Sequence, residues 1–194
     1  MDDKNTKTAL RRECLSKRNN LTPEYRQTAD AMIIAALRVL AEVNECINVS
    51  AFISDGFEPD LRPFLEECLS DGKNVFLPRS NGIADGYEIT KIHNLTTELI
   101  PGKYGIMEPC PALPAVNLAQ MRQIVWLTPL VAYDAHGTRL GRGKGVYDRL
   151  LENGNGIRIG IGYQCQKVAS IPAEIHDCPL DIVVTESGTV RFNQ

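Results

Sequence analysis

The chain has 194 residues, 43 % of them apolar and 23 % charged, with a formal net charge of −3. That length suits one domain, and that composition suits a soluble protein with a real core. A balance this near neutrality excludes a general nucleic-acid binder, whose positive charge would spread over a face. No apolar run approaches the roughly 20 residues of a membrane span, and Met1-Asp2-Asp3-Lys4-Asn5 carries no hydrophobic signal region. A cytoplasmic protein is therefore expected. Cys14, Cys46, Cys68, Cys110, Cys165 and Cys178 lie far apart with no Cys-x-x-Cys pair. Zinc spacing is thus absent, and in a reducing compartment they read as small core or surface residues. His93, His136 and His176 sit in polar surroundings without ligand spacing, and each reads as a surface residue.

Thr6 to Asn19 is predicted helical, with Leu10, Cys14 and Leu15 as one apolar stripe. Lys7, Arg11, Arg12, Lys17 and Arg18 surround it, so residues 1–20 form a basic N-terminal helix. On spacing alone such a face is a solvated one, although Lys7 and Arg11 stand at i, i+4 on one side. Thr22-Pro23-Glu24 is a helix start, with Thr as N-cap and Pro at the first helical position. This helix is expected to run to about Val43, with Ala29, Met32, Ile33, Ala36, Leu37 and Leu40 on its apolar face.

A strand is expected from Ile47 to Ile53, followed by a loop, Ser54 to Pro63, at its C-terminal end. Ligands in open α/β sheets gather at such ends. Asp60 is the expected cap of a short helix, Leu61 to Ser70, which Asp71-Gly72 ends. Asn74 to Pro78 and Tyr87 to Thr90 read as strands, Thr96 to Tyr104 as less regular chain, and Pro111 to Asn117 as a proline-punctuated crossing. Ile124-Val125-Trp126-Leu127 reads as a buried strand, and Ile157 to Tyr163 as another. Alternating apolar runs and helical patterns predict an α/β fold, a single domain over residues 1–194. It would be a mainly parallel open sheet with helices on both faces. The strand order does not follow from the pattern.

The most informative stretch comes after Leu127. The chain crosses a turn-rich Tyr133-Asp134-Ala135-His136-Gly137 and enters Arg139-Leu140-Gly141-Arg142-Gly143-Lys144-Gly145. Val146 to Leu151 then reads as the first turns of a helix. A glycine loop before a helix lets backbone N–H groups approach phosphate oxygens, and the helix end adds partial positive charge. Arg139, Arg142, Lys144 and Arg149 add full charges, so the loop reads as a phosphate site. It is not a Walker loop, because position 138 is Thr and position 145 is Gly. Nor is it a dinucleotide fingerprint, because the third glycine's place is Val146.

Pro129-Leu130-Val131-Ala132-Tyr133-Asp134, followed by Gly137-Thr138-Arg139-Leu140-Gly141-Arg142-Gly143-Lys144-Gly145-Val146-Tyr147-Asp148-Arg149, resembles the signature of the 5-formyltetrahydrofolate cyclo-ligase family. The family, also called methenyltetrahydrofolate synthetases, carries P-L-hydrophobic-A-aromatic-D and then G-x-R-L-G-x-G-x-G-aromatic-Y-D-R. The likeness spans Lys7 to Thr185. It departs at Val146, where the family has Tyr or Phe, and at Leu61, where a Thr is usual.

The resemblance implies roles for particular residues. Lys7 and Arg11 would reach nucleotide phosphates. Arg139, Leu140, Gly141, Arg142, Gly143, Lys144, Gly145 and Tyr147 would complete an ATP site, with Arg142, Lys144 and Tyr147 serving the chemistry. Ile53, Glu58, Arg142 and Val146 would contact folate. A carboxylate at Glu58 suits a pterin, whose N3–H and 2-amino group present adjacent donors. Gly105 to Pro109 is similar to the family's G-I-x-E-P, which makes Glu108 either a ligand-orienting group or part of a turn. Asp148 and Asp181 would hold magnesium.

The implied reaction is ATP- and magnesium-dependent conversion of 5-formyltetrahydrofolate to 5,10-methenyltetrahydrofolate. Such chemistry needs positioning and charge neutralisation, so the lack of a Ser-His-Asp or Cys-His arrangement is no objection. Small-molecule substrates, no nucleic acid, no membrane and a monomer are expected. A folate- or nucleotide-binding module of the same fold without turnover is the alternative, and Val146 is the residue that leaves it open. A different ATP-using enzyme on the same scaffold is a second.

Overall fold

The computed structural model describes residues 3–83, 86–102, 105–121, 123–152, 154–174 and 177–192. His176 and Tyr104 lie outside them. The basic helix, α1, is Asp3–Asn19 and α2 is Pro23–Arg38. The Thr22 side chain accepts the Tyr25 N–H at 3.2 Å, as its place before Pro23 predicts. Helix α2 stops short of the expected Val43: Leu40 is extended and a separate turn, α3, covers Ala41–Glu45. The apolar pattern runs straight across this break. The Asn44 side-chain amide donates to the Arg38 carbonyl at 2.9 Å across the break, and the Lys73 ammonium holds the far end of α3, donating to the Val43, Asn44 and Cys46 carbonyls at 2.9, 3.0 and 2.7 Å. Met32, expected on the apolar face, is exposed; Ala29, Ile33, Ile34 and Leu37 fill that face instead.

Strand β1, Asn48–Ser50, is shorter than expected, because the chain leaves the sheet after Ala51 and turns Phe52 and Ile53 towards a cleft. Helix α4 is Arg62–Ser70; Leu61 occupies the cap position, and Asp60 accepts the Arg62 N–H from one residue further out. Strands β2, Asn74–Ser80, and β3, Tyr87–Ile92, form an antiparallel pair. The stretch read as irregular contains β4, Leu99–Pro101, paired with β5, Met107–Pro109. Strand β6 is Val125–Pro129, β9 is Ile157–Ile161, β10 is Ile182–Thr185 and β11 is Gly188–Arg191. Between β6 and β9 lie a small hairpin of β7, Ala132–Tyr133, with β8, Arg139–Leu140, and then helix α5, Val146–Glu152.

Seven strands form one sheet in the order β11-β10-β9-β6-β1-β2-β3. The five central strands are parallel and the two edges antiparallel. Parallel strands buried on both faces need continuous apolar runs, and alternation sorts these runs between two cores. Val75, Leu77, Val125, Leu127, Ile159 and Ile161 face α2, α3 and α4. Phe76, Ile89 and Trp126 face the other way, towards Leu150 and Leu151 of α5. Among the described residues, no helix is long and apolar enough to cross a membrane.

The hairpin explains a residue of the signature. The buried Asp134 carboxylate accepts the His136 and Thr138 N–H groups on Oδ1, at 2.9 and 3.0 Å, and the Ile171 N–H on Oδ2 at 3.0 Å. It builds the β7–β8 turn and ties it to the chain 37 residues on. Helix α1 then lies over the hairpin, with Cys14 against Val131, Ala132, Leu140 and Ile171. Each buried donor left unpaired costs about 1–3 kcal/mol, so Asp134→Ala should lower the unfolding free energy by about 3 kcal/mol or more in urea titration. His136→Ala, at an exposed neighbour, should change it by less than about 0.5 kcal/mol.

Candidate active site

Strand order places the site. Strand β1 has β2 on one side and β6 on the other, so the winding reverses between β1 and β6. Open α/β sheets bind ligands at such a reversal, beyond the C-terminal strand ends. A cleft of about 650 Å³ lies there, lined by Phe52 and Ile53 after β1, Leu77 and Pro78 of β2, and Pro129 and Leu130 at the end of β6. That volume is within the usual span for small-ligand pockets.

One wall of the cleft is the glycine loop with α1 beside it. Arg11 donates from Nε to the Gly141 carbonyl at 2.9 Å. Gly143 (φ +86°) and Gly145 (φ +62°) hold the left-handed region, which L side chains avoid. Both are also crowded: a Cβ on Gly143 would stand 3.3 Å from the Arg11 Cζ, and one on Gly145 2.8 Å from an Arg149 nitrogen. The glycines therefore let guanidinium groups close around the backbone. Lys144 is exposed and makes no ion pair among the described residues. Leu140 lines the cleft but buries its side chain in the hairpin–α1 cluster.

Carboxylates hold most of the other cations. Lys7 is buried, with Asp177 at 2.9 Å and Glu174 at 3.1 Å from its ammonium. Burial works against its charge, but those two carboxylates outweigh burial and raise its pKa. Arg139 is buried against Asp148, with its guanidinium 5.8 Å over the Tyr147 ring. Arg142 reaches across the cleft to Asp55, and to Glu58 Oε1 at 3.0 Å. Behind that pair lies Arg18, 1 % exposed, with Asp55 at 3.1 Å and Glu58 at 3.3 Å. Burial lifts the Glu58 carboxyl above the usual range despite Arg142 and Arg18. Asp55 is also desolvated, but Arg18, the Phe57 N–H and Arg142 prevail, and it sits below that range.

The structure brings Lys7, Arg11, Ile53, Glu58, Arg139, Arg142, Lys144, Val146, Tyr147 and Asp148 to this one cleft. Val146 is half-buried, shared between the cleft and the core beside Phe76 and Ile89. Glu108 lines the cleft while accepting the Ser80 N–H at 3.1 Å. Asp181 is not brought there. Its Oδ2 accepts the Arg158 N–H at 2.7 Å and closes the join between β9 and β10. Asp177, four residues earlier, lines the cleft instead.

Sequence reasoning missed Asp177, Glu174, Tyr87, Asp55 and Arg18. For Arg18 the available signal was its place two turns after Arg11 on the same helix. For Asp177 it was a second acidic residue in the same closing segment. Among the described residues no group of three or more His, Cys, Asp or Glu side chains could cage a metal. Magnesium asks less, since one or two carboxylates with phosphate oxygens and waters suffice.

A cleft of this kind, cationic on one wall and apolar on the other at the switch point of a parallel sheet, defines an α/β protein built for an anionic small ligand. The model of the 5-formyltetrahydrofolate cyclo-ligase family matches residues 3–186, and the chain belongs to that family of ligases. A 5-formyltetrahydrofolate cyclo-ligase of Escherichia coli (strain K12) is 34 % identical over 174 residues, 88 % of this chain and 95 % of the relative. One from Haemophilus influenzae is 32 % identical over 180 residues, 90 % and 95 % of the two chains. The solved 5,10-methenyltetrahydrofolate synthetase of Aquifex aeolicus superposes with a TM-score of 0.82 at 34 % identity, covering 97 % of this chain and 93 % of that one.

Two buried atoms of cleft-lining residues have no hydrogen-bond partner among the described residues, the Arg139 Nε and the Tyr147 hydroxyl. The Tyr147 hydroxyl is buried without a hydrogen bond, and burial, with Glu58 nearby, pushes its pKa up. An unpaired buried hydroxyl costs about 1–3 kcal/mol. Tyr147→Phe should therefore hold or raise the thermal midpoint, which differential scanning calorimetry would show. If the hydroxyl serves a ligand, the same change should weaken turnover.

Proposed function

We propose that the protein converts 5-formyltetrahydrofolate to 5,10-methenyltetrahydrofolate with ATP and magnesium, releasing ADP and phosphate, as a cytoplasmic monomer. The observation that carries this reading is the reach of Arg142. It extends from the glycine loop to Glu58 at 3.0 Å, so a phosphate grip and an acceptor suited to a pterin lie within one side chain of each other.

The chemistry explains the parts. The N5-formyl group is an amide, so its carbon is a poor electrophile and its oxygen a poor leaving group. Attack of that oxygen on the γ-phosphorus breaks the bond to ADP and makes the oxygen a phosphate ester. N10 then attacks the formyl carbon and gives up its proton, and the C–O bond breaks to release phosphate, which can carry that proton away. Neither step needs a protein nucleophile; both need alignment and neutralised charge.

In this reading Lys7, Arg11, Lys144 and the loop N–H groups grip the triphosphate. Glu58 holds the pterin against Phe52, Ile53, Val146 and Tyr87, and Arg142 moves to the transferred oxygen. Asp148 and Asp177, both lining the cleft, fit a magnesium ion better than Asp181, which lies outside it at the join of β9 and β10. That ion, when bound, neutralises phosphate charge.

The test follows methenyl absorbance and ADP release together on mixing protein, Mg-ATP and 5-formyltetrahydrofolate; absorbance without ADP, or neither, would overturn the reading. Loss of one preorganised cation typically costs about 10²–10³ in turnover. Lys144→Ala should fall by that much with its fold intact, since the side chain is exposed. Asp148→Asn and Asp177→Asn should each raise the magnesium concentration for half-maximal rate, and Asp181→Asn should not. A midpoint unchanged in the first two variants would remove them from the metal.

A further inference from the structure

Beneath the cleft, Arg18 has no place in the reaction as proposed, yet it is among the largest fully buried side chains. It sits on α1, two helical turns beyond Arg11, and its guanidinium meets the loop after β1 from below. Nη1 points to Glu58 Oε1 at 3.3 Å and Nη2 to Asp55 Oδ2 at 3.1 Å. Arg142 touches those same two oxygens from the cleft side. Glu58 Oε2 takes no hydrogen bond from any described residue.

Lone pairs couple ligand entry to the release of Arg142. A carboxylate oxygen has two good acceptor directions, and Oε1 spends both, one on Arg18 and one on Arg142. A pterin presenting two adjacent donors needs one direction on each oxygen. Oε2 is available, whereas Oε1 becomes so only when Arg142 leaves. Binding the pterin and freeing Arg142 for the transferred oxygen are then one event. At that moment Glu58 and Asp55 lose their mobile counter-charge while still desolvated. Arg18, on a helix and buried, cannot follow Arg142 out.

We propose that Arg18 is the positioning residue of the folate site: it fixes Glu58 from below and keeps it an ionised, two-oxygen acceptor while Arg142 is engaged with substrate. The inference rests on the folate placement above. Other groups around Glu58 do not fill this role. Arg26, Asp30, Asp60 and Arg62 line a smaller cleft of about 280 Å³ behind it, opposite in sign and close to balanced. Arg26 is turned to the Phe57 ring and the Leu21 carbonyl, and Asp30 accepts the Tyr163 hydroxyl at 2.8 Å. On the cleft side, Asp55 repels Glu58, and Tyr147 and Tyr87 bring phenol rings rather than cations. Burial already lifts the Glu58 carboxyl, so losing the one immobile cation lifts it further.

The test compares the pH dependence of kcat/KM for 5-formyltetrahydrofolate, from pH 5.5 to 9, in wild type, Arg18→Met, Arg18→Lys and Glu58→Gln, with urea midpoints in parallel. A neighbouring guanidinium moves a carboxyl by about one to three pH units. Arg18→Met should therefore shift the acid limb upward by about that much and raise the folate KM about tenfold, the loss expected for one charge-assisted hydrogen bond. The ATP KM should stay within about twofold of wild type, far below that change. Arg18→Lys keeps the charge and should restore most of the limb; if Arg18→Met does not fold, it carries the test, with a smaller shift in the same direction. An unmoved limb, or equal rises in both Michaelis constants, overturns the role of Arg18. A folate KM unchanged in Glu58→Gln overturns the folate placement itself, so the two failures are distinguishable.

Discussion

Positive charge has to be gathered onto one wall without tearing that wall apart. Lys7 and Arg11 come from the N-terminal helix, Arg139 from the hairpin, and Arg142, Lys144 and Arg149 from the glycine loop and the helix after it. Side by side they repel. The structure answers by giving several of them carboxylates from distant chain: Lys7 to Asp177, 170 residues away, and Arg142 to Asp55, 87 residues away. These pairs staple α1 and the loop after β1 to the glycine loop and its surroundings. Breaking a buried pair by removing one partner costs about 3–5 kcal/mol, which applies to Lys7 with Asp177, whereas Arg142 is exposed and its pair contributes less. On the proposed function, a phosphate would exchange places with carboxylates rather than enter a bare positive field.

How much of this could be read from sequence depends on how local the cause was. The Thr22-Pro23 start of α2 was legible because its cap lies three residues from the N–H it accepts. The parallel sheet was legible too, since strands buried on both faces must read as unbroken apolar runs, as Val125 to Leu127 does. Signals that depend on a distant partner were not. Helix α3 ends where Lys73 comes to serve freed carbonyls, and nothing near Cys46 announces it. The hairpin β4–β5 is three residues a side and carries proline in both strands, which hides it from any alternation pattern.

The candidate site divides along the same line. Its glycine loop was legible, because glycine at left-handed positions flanked by cations is a local pattern. The ion-pair partners were not, and the placing of Asp181 at the cleft suffered most. Asp177 and Asp181 are four residues apart in one acidic segment, so nothing in the spacing separates them. The sheet does: Asp181 lies where β10 begins and must receive the Arg158 N–H of the neighbouring strand. Asp177 precedes the strand and is left over the cleft beside Lys7. Arg18 was read as one more solvated cation for a related reason, since what buries it is a loop 37 to 40 residues on.

Val146 shows what the scaffold leaves adjustable. The loop backbone before it is held by crowding: Gly143 by Arg11, Gly145 by Arg149, and Gly141, where a Cβ would stand 2.9 Å from Arg139. The left-handed φ of Gly143 and Gly145 strains any side chain there, whereas at Gly141 only the tip of the flexible Arg139 side chain stands in the way. Val146 is different, for its side chain lies between the cleft and a core of Phe76, Ile89 and Leu150 that already packs without an aromatic there. A change at this position alters how flat a face the ligand meets, worth about 0.5–1.5 kcal/mol for an aromatic contact, without moving a cation. The proposed phosphate grip and the apolar wall are thus separable. The grip depends on backbone conformation, which tolerates little. The wall depends on side-chain area, which a β-branched residue supplies in part and an aromatic supplies in full.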